Sequence, residues 1–137
     1  MWVCDLVISR TLSIESQNYK LKIMDNVIEE KSFCFAVRIV KLNQYLRTKK
    51  KEHVLSKQLL RCGTSIGANI AESQHAQSKA DFISKLEISL KETSETKYWL
   101  RLMKETGYLS DSEFESIFLD CVELEKILVS IIKTTKN

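Results

Sequence analysis

The stretch from Leu109 to Ile131 decides the fold of this chain, and it reads LSDSEFESIFLDCVELEKILVSI. Ser110 and Glu113 have the spacing of a capping box, and Leu109 and Phe114 stand where a hydrophobic staple closes a helix start. Apolar side chains then recur alternately three and four residues apart, which predicts a helix packed at a shallow angle on its neighbours. These side chains are Phe114, Ile117, Cys121, Leu124, Leu128 and Ile131.

Three earlier segments show helical periodicity and are separated by short polar connections. The first covers about residues 27–48, the second covers about residues 53–73, and the third opens at Ser78 as a helix cap and ends near Gly107. Short connections place consecutive helices beside each other in opposite directions. We therefore expect an all-α protein, an antiparallel up-down-up-down four-helix bundle.

The composition agrees with a single soluble domain. The chain has 137 residues, of which 44% are hydrophobic and 28% charged, and it contains three glycines and no proline. Turn-rich β proteins contain more glycine and proline, which form their turns, and a membrane-spanning protein contains a long apolar run. Neither class of protein is therefore expected.

The N-terminal part of the chain has a different pattern from the rest. Its apolar residues Trp2, Val3, Leu6, Val7 and Ile8 keep neither a helical nor a strand period for long. We interpret residues 1–23 as an N-terminal extension and residues 24–137 as the four-helix bundle domain. A further hypothesis is that Met24 is the functional start of the protein.

The four cysteines predict a reduced, cytoplasmic protein. Cys4, Cys34, Cys62 and Cys121 lie far apart, without a CxxC pair or a zinc-type cluster. The first apolar stretch contains Asp5 and lacks a basic leader, so it does not resemble a secretion signal. We expect mostly buried thiols.

Two short motifs resemble catalytic or metal sites, but neither has the surrounding sequence that such a site requires. Gly63-Thr64-Ser65-Ile66-Gly67 matches the GxSxG nucleophile elbow, yet the apolar period runs through it and places Ser65 in the middle of a helix. Glu72 and His75 have the Glu-x-x-His spacing of di-iron bundles, but the motif occurs once where two copies are needed. We expect neither an enzyme nor a bound cofactor or metal.

A ridge of small residues runs along the second predicted helix. Gly63, Gly67 and Ala71 recur every four residues, although each helical glycine costs about 0.5–1 kcal/mol relative to alanine. We interpret the ridge as a site of close helix approach, within the bundle or between subunits. The alternative is a simple kink.

The single block of like charge contains Arg47, Lys49, Lys50 and Lys51. A solvated turn is the ordinary interpretation, and the net charge of +3 is modest. If several copies surrounded an axis, however, their summed positive field would attract phosphate groups. The adjacent aromatic residues Tyr98 and Trp99 are expected to be core or interface anchors rather than base-stacking platforms, because bases stack on exposed rings in a basic groove.

Four strings in this order carry a resemblance that extends from about Met24 to Lys133. They are SIGANIAE at 65–72, SKADFISKL at 78–86, LKE at 90–92 and ETKYWL at 95–100. The chain resembles the four-helix-bundle family of 23S ribosomal RNA intervening-sequence proteins. The resemblance implies a ring-like homopentamer and a more distant similarity to the accessory variability proteins of diversity-generating retroelements, which are basic pentamers associated with nucleic acid.

The resemblance supplies no catalytic residues, but it marks positions expected at helix contacts or subunit interfaces. The function we expect is a non-enzymatic oligomeric bundle that binds structured RNA or a nucleic-acid-binding protein through a basic ring surface. The alternative is a protein-binding scaffold that does not contact nucleic acid. The marked positions are Asn69, Glu72, Lys79, Asp81, Phe82, Lys85, Glu92 and Trp99.

Overall fold

The computed structural model describes the backbone of residues 2–137 and the side chains of residues 13–137. It contains four helices, α1 (Trp2–Thr48), α2 (Leu55–Ser73), α3 (Lys79–Glu105) and α4 (Asp111–Lys136), and residues 2–137 contain no strand. Helix α1 packs against α2 and α4, and α3 packs against the other sides of the same two helices. The predicted all-α helical bundle is therefore confirmed.

One core fills the space between the four helices. The seam predicted on α4 faces this core, because Ile117, Cys121, Leu124, Leu128 and Ile131 are all buried. The other helices contribute buried apolar side chains at helical spacing, and these fix the rotation of each helix about its own axis. They are Ile28, Phe35, Ile39 and Leu46 from α1, Leu59, Ile66 and Ile70 from α2, and Leu86, Leu100 and Met103 from α3.

The predicted helix ends are confirmed at α3 and α4. The Ser78 hydroxyl accepts the Asp81 N–H at 3.0 Å. At the start of α4 the capping box is complete, since the Ser110 hydroxyl accepts the Glu113 N–H at 3.2 Å and the Glu113 carboxylate accepts the Ser110 N–H at 2.9 Å. Gly107 follows α3 with a φ of +85°, a left-handed conformation that favours glycine and ends the helix.

Helix α1 begins far earlier than predicted. It runs without a break from Trp2, whereas the apolar period predicted a start near residue 27. Described side chains at 13–20 are exposed, and Leu21 and Met24 lie among the first that pack on the core. A helix segment that faces no core shows no core periodicity, which explains the wrong prediction. The domain boundary between residues 23 and 24 stays a prediction.

The cysteines differ in burial. Cys62 and Cys121 lie in the core, whereas Cys34 is exposed on α1, and the side chain of Cys4 lies outside the described residues. Burial raises the pKa of Cys62 to about 11 and that of Cys121 to about 12. None of the helices in the described part of the chain is long and apolar enough to cross a membrane.

Candidate nucleic-acid interface

The candidate interface is the turn from α1 into α2, residues 47–51, which we call the basic loop. Arg47 lies in the last turn of α1, and the N–H groups of Lys49 and Lys50 donate to the Tyr45 carbonyl oxygen. Lys51 has a φ of 56° and directs the chain towards α2. All four cationic side chains of the loop are exposed. The predicted solvated turn is therefore present, with its charges in contact with solvent.

The acidic residue next to the basic loop is turned away from it. Glu52 is buried, and its carboxylate accepts the backbone N–H groups of Val54 at 2.9 Å, Leu55 at 2.8 Å and Ser56 at 2.6 Å. Ser56 returns a bond, because its hydroxyl donates to the Glu52 carbonyl oxygen at 2.9 Å. Glu52 thus caps α2, a role that Val54 does not perform with its own side chain.

The capping bonds keep Glu52 ionised. Burial raises the pKa of this carboxyl, and the N–H groups of Leu55, Ser56 and Val54 together lower it by more, so that the net direction is downward. The negative charge of this carboxylate interacts with the positive N-terminal end of α2. It therefore contributes little to neutralising the lysines beside it.

Several cations on the bundle have carboxylate partners, whereas the four clustered cations of the basic loop have none among the described side chains. On the flanks, Lys31 pairs with Glu123 at 2.7 Å, and Lys97 pairs with Glu125 at 2.6 Å. Within residues 13–137, no ion pair includes Arg47, Lys49, Lys50 or Lys51. The loop is therefore a local excess of positive charge on a chain whose net charge is small.

Helix α4 contacts α1 through polar side chains: Lys31 lies 2.7 Å from Glu123, and Arg38 donates to the Ser116 hydroxyl at 2.8 Å. The pKa of the Glu113 carboxyl at the start of α4 is lowered first by the bond from the Ser110 backbone N–H and then by the Ser110 hydroxyl. The positive charge of Lys50 and the side chain of Tyr45 lower it further. The start of α4 therefore lies on the side of α1 that leads into the basic loop.

The small-residue ridge on α2 faces α1. A Cβ added at Gly63 would lie 2.8 Å from the Ile39 side chain, and one added at Gly67 would lie 3.2 Å from the Ser32 carbonyl oxygen. Both glycines therefore sit at a close approach of α1 and α2, while Ala71 is exposed. The structure places two of the three predicted ridge residues at a helix contact within the bundle.

An apolar groove of about 570 Å³ lies above the ridge, on the outer surface between α1 and α2. Gly67, Ala68 and Ala71 form one side of it, and Phe33 on α1, 70% exposed, forms part of the other. Val37 and Val40 continue the exposed apolar face of α1 beyond Phe33, and we call this surface the α1 apolar face. Exposed apolar surface of this kind is typical of a binding or subunit contact.

Three of the resemblance positions connect α2 with α3. Glu72 accepts from Lys85 at 3.0 Å, and Glu92 lies 3.6 Å from Arg61. Burial raises the pKa of the Glu92 carboxyl, which the Arg61 charge opposes. Arg61 also bonds Glu95 through a shorter contact of 2.5 Å. These pairs are helix contacts within the bundle.

The other resemblance positions have mixed surroundings. Phe82 and Trp99 pack against the core. Asn69 donates to the carbonyl oxygen four residues earlier in its own helix at 2.8 Å. Asp81 belongs to the cap of α3, and Lys79 is exposed beside it. Within the described bundle, only the first two therefore contribute apolar packing.

The residues of the two motifs that resemble catalytic or metal sites have ordinary structural surroundings. The Ser65 hydroxyl donates to the Arg61 carbonyl oxygen at 2.7 Å, in the middle of α2. His75 is exposed, and the Glu72 carboxylate faces Lys85 rather than the bundle interior. Among the described residues, no three His, Cys, Asp or Glu side chains are grouped closely enough to hold a metal ion.

The cap formed by Glu52 was not predicted from the sequence. For Tyr98 the prediction was a core or interface anchor: this side chain is 59% exposed and lies outside the core, which excludes the first alternative, whereas the neighbouring Trp99 packs inward. The available signal was a polar stripe on α3 at spacings of three and four, in which Tyr98 is the aromatic member. The stripe consists of Lys91, Ser94, Tyr98, Arg101 and Glu105.

Comparisons with known proteins agree with this architecture. The family model described as 23S rRNA-intervening sequence protein matches residues 24–130. A solved structure from Bacteroides thetaiotaomicron, described as a protein with unknown function from the S23 ribosomal protein family, is 56% identical. The similarity covers 80% of this chain and 98% of that one, with a TM-score of 0.80. A search of curated proteins found no match. With most of its helical bundle matched in sequence and in fold, this chain belongs to the family of 23S rRNA-intervening sequence proteins.

Proposed function

We propose that this protein is a non-enzymatic helical bundle that assembles as a homopentameric ring and binds structured RNA through its basic loops. The observation that carries the proposal is the set of four exposed loop cations without carboxylate partners among the described side chains. Such cations attract phosphate groups and release the counterions condensed on the nucleic acid.

The proposal includes an antiparallel up-down-up-down arrangement, which places the first and third connections at one end and the second connection at the other. Support comes from contacts whose residue numbers rise in one helix and fall in its neighbour. Asn43 donates to the Ser56 carbonyl at 3.0 Å, and Gln74 donates to Asp25 at 3.2 Å. Helices α3 and α4 follow the same rule, with Lys104 facing Asp111 and Lys136 facing Glu87.

Assembly would increase the positive electrostatic potential at the basic loops. One chain carries a net charge of +3, which is small for a dedicated nucleic-acid-binding protein. In a ring, five copies of the loop would lie at one end and sum their fields. Support for self-assembly is the α1 apolar face, because a side chain as large and exposed as Phe33 is typical of a subunit contact.

The test is a fluorescence-anisotropy titration of a structured ribosomal RNA fragment. We expect the variant with Lys49, Lys50 and Lys51 changed to Gln to bind at least about tenfold more weakly than wild type at low salt. A matched control removes three charges from the far end of the bundle, at Lys20, Lys22 and Lys133, and should bind like wild type. Equal weakening by both variants would contradict the proposal.

A second candidate function is a scaffold that binds a protein and does not contact nucleic acid. The groove beside Phe33 favours it, because an amphipathic helix from a partner could lie between α1 and α2. Wild-type protein that forms the ring but binds no RNA at low salt would support this candidate and contradict the first.

A further inference from the structure

A second groove lies between α3 and α4 and combines aromatic with basic side chains. It has a volume of about 570 Å³, which is within the range of about 300–1,000 Å³ typical of small-ligand sites. Tyr98, Phe114 and Phe118 provide its aromatic surface, and Arg101 and Lys104 provide its positive charge. We call it the aromatic groove.

The aromatic rings of this groove differ in exposure and in their packing partners. Phe114 and Phe118, one turn apart on α4, are stacked with centroids 4.7 Å apart and an interplanar angle of 30°, and both also contact the core. Tyr98 across the groove is 59% exposed and is held by an edge contact with Trp99, with centroids 5.1 Å apart. The groove therefore has a fixed aromatic wall on one side and an accessible phenol ring on the other.

The charge around the rings suits an anionic ligand. The Lys104 ammonium lies 4.8 Å from the centroid of the Phe114 ring, and its pairing with Asp111 is loose, at 3.9 Å. Arg101 is exposed and belongs to no ion pair among the described side chains. Glu105 is the one acidic residue that lines the groove. Since Asp111 lies beside Lys104, Arg101 is the cation of the groove that has no carboxylate partner among the described side chains, and it is available to an anionic ligand.

The aromatic groove lies near the basic loop. Lys31 lies 2.7 Å from Glu123, and Arg38 donates to the Ser116 hydroxyl at 2.8 Å, so the later residues of α1, which lead into the loop, lie beside the earlier residues of α4. The positive charge of Lys50 also lowers the pKa of the Glu113 carboxyl, next to Phe114. A nucleic-acid chain held by its phosphates at the loop could therefore continue over α3 and α4 without leaving the same end of the bundle. Single-stranded nucleic acids bind where a positive surface lies beside aromatic rings, because the phosphates follow the charge while the bases stack.

We propose that the aromatic groove binds an unpaired nucleobase of the RNA held at the basic loop, with Tyr98 as the stacking ring and Arg101 and Lys104 as contacts to the adjacent phosphates. This inference rests on the proposed function, since it names the part of the RNA that the protein recognises. It implies a preference for RNA with single-stranded bases over RNA that offers phosphates alone.

The test compares two labelled RNA hairpins of equal length and charge by fluorescence anisotropy. One hairpin has a loop of pyrimidine nucleotides, and in the other the loop nucleotides are abasic, so that the phosphates remain and the bases are removed. We expect wild type to prefer the hairpin with bases by about five- to a hundredfold, which is the range of base–aromatic stacking. Tyr98→Ser should remove the preference, and Tyr98→Phe should retain it.

The matched control is Tyr19→Ser, which removes another exposed tyrosine, on α1, 70% exposed and outside the groove. We expect it to bind both hairpins like wild type. Native mass measured in parallel reports whether Tyr98→Ser alters assembly, and we expect no change.

Each contrary outcome has its own meaning. Equal, salt-dependent affinity of wild type for the two hairpins would overturn the nucleobase site and leave the proposed phosphate binding intact. Failure of wild type to bind either hairpin at low salt would overturn both. A Tyr98→Ser variant that loses subunits and keeps its preference for bases would make the groove a contact between copies, which also overturns the inference.

Discussion

Glu52 and Ser56 bind each other across the start of α2, where the carboxylate accepts the Ser56 N–H at 2.6 Å and the Ser56 hydroxyl donates to the Glu52 carbonyl at 2.9 Å. This reciprocal pair has two effects. It fixes the entry of the chain into α2, and it withdraws the nearest carboxylate from Lys49, Lys50 and Lys51. The stability of the bundle and the charge of its basic loop therefore depend on the same residue.

Replacement of Glu52 by Gln should destabilise the bundle in a pH-dependent way. Because the folded-state pKa of Glu52 lies below its unfolded value of 4.5, its stabilisation is complete well above that pH and is lost as pH falls through the folded pKa. We expect a loss of about 1 kcal/mol in the free energy of unfolding at pH 7, the usual size of a lost cap. The difference from wild type should shrink below about pH 4.5.

Urea unfolding at several pH values measures this effect. The matched control is Glu105→Gln, which neutralises an exposed glutamate at the end of α3. An equal change in the two variants at pH 7, or a Glu52→Gln deficit that does not depend on pH, would contradict the capping role.

Gly63→Ala should destabilise the protein although alanine is the better helix former. The added Cβ would lie 2.8 Å from the Ile39 side chain, a distance that forces the two helices apart or Ile39 out of its place. Overpacking of this kind costs about 1–3 kcal/mol, which exceeds the propensity gain of about 1 kcal/mol.

A double-mutant cycle with Ile39→Ala isolates this contact. Removal of the isoleucine side chain makes room for the new methyl group. The double variant should therefore lose less free energy of unfolding than the sum of the losses in the two single variants. Additive changes in the free energy of unfolding would show that Gly63 does not serve the close approach of α1 and α2.

The cysteines should react in two classes. In a Cys4→Ser background, we expect Cys34 to react with a thiol reagent in the native protein, since it is exposed. Cys62 and Cys121 should react only on unfolding, because burial both shields them and raises the pKa to about 11 and about 12. Mass spectrometry after timed labelling counts the adducts, and rapid modification of Cys62 at neutral pH would contradict the core assignment.

Phe33→Glu should dissociate the proposed ring. A carboxylate placed on the α1 apolar face would be buried without a partner in a subunit contact, at a cost of several kcal/mol for each interface. Light scattering should change from about 80 kDa, five chains of 15.9 kDa, towards a single chain. Leu119→Glu alters an exposed apolar residue of α4 and should leave the mass unchanged. A ring that survives Phe33→Glu would place its contacts elsewhere.

Much of the fold could be predicted because its signals are local. The cap at Ser78, the capping box of Ser110 and Glu113, and the turn at Gly107 each depend on a few neighbouring residues. The seam of α4 depends on spacing alone. In these regions local preference and tertiary packing agree, so sequence reasoning is accurate.

The parts that could not be predicted depend on the rotation or the surroundings of a helix. Tyr98 and Trp99 are adjacent, and either could face the core until the rotation of α3 is known. Phe33 is of a residue type that is common in protein cores, and yet it lies on the surface. Glu52 caps α2 from a position that the usual Ser, Thr, Asp and Asn preferences do not mark. The early part of α1 was not predicted because its described residues 13–20 are exposed, and an exposed helical segment has no apolar stripe that marks it.

The central claim is that the unpaired cations of the basic loop hold RNA through its phosphates, and the salt dependence of affinity tests it most directly. The slope of log Kd against log salt concentration counts the phosphates that are neutralised, at about 0.7–0.9 for each. The Lys49, Lys50 and Lys51 to Gln variant should show a slope reduced by at least about one relative to wild type. Replacement of Lys20, Lys22 and Lys133 should leave the slope unchanged, and equal slopes for wild type and the loop variant would contradict the claim.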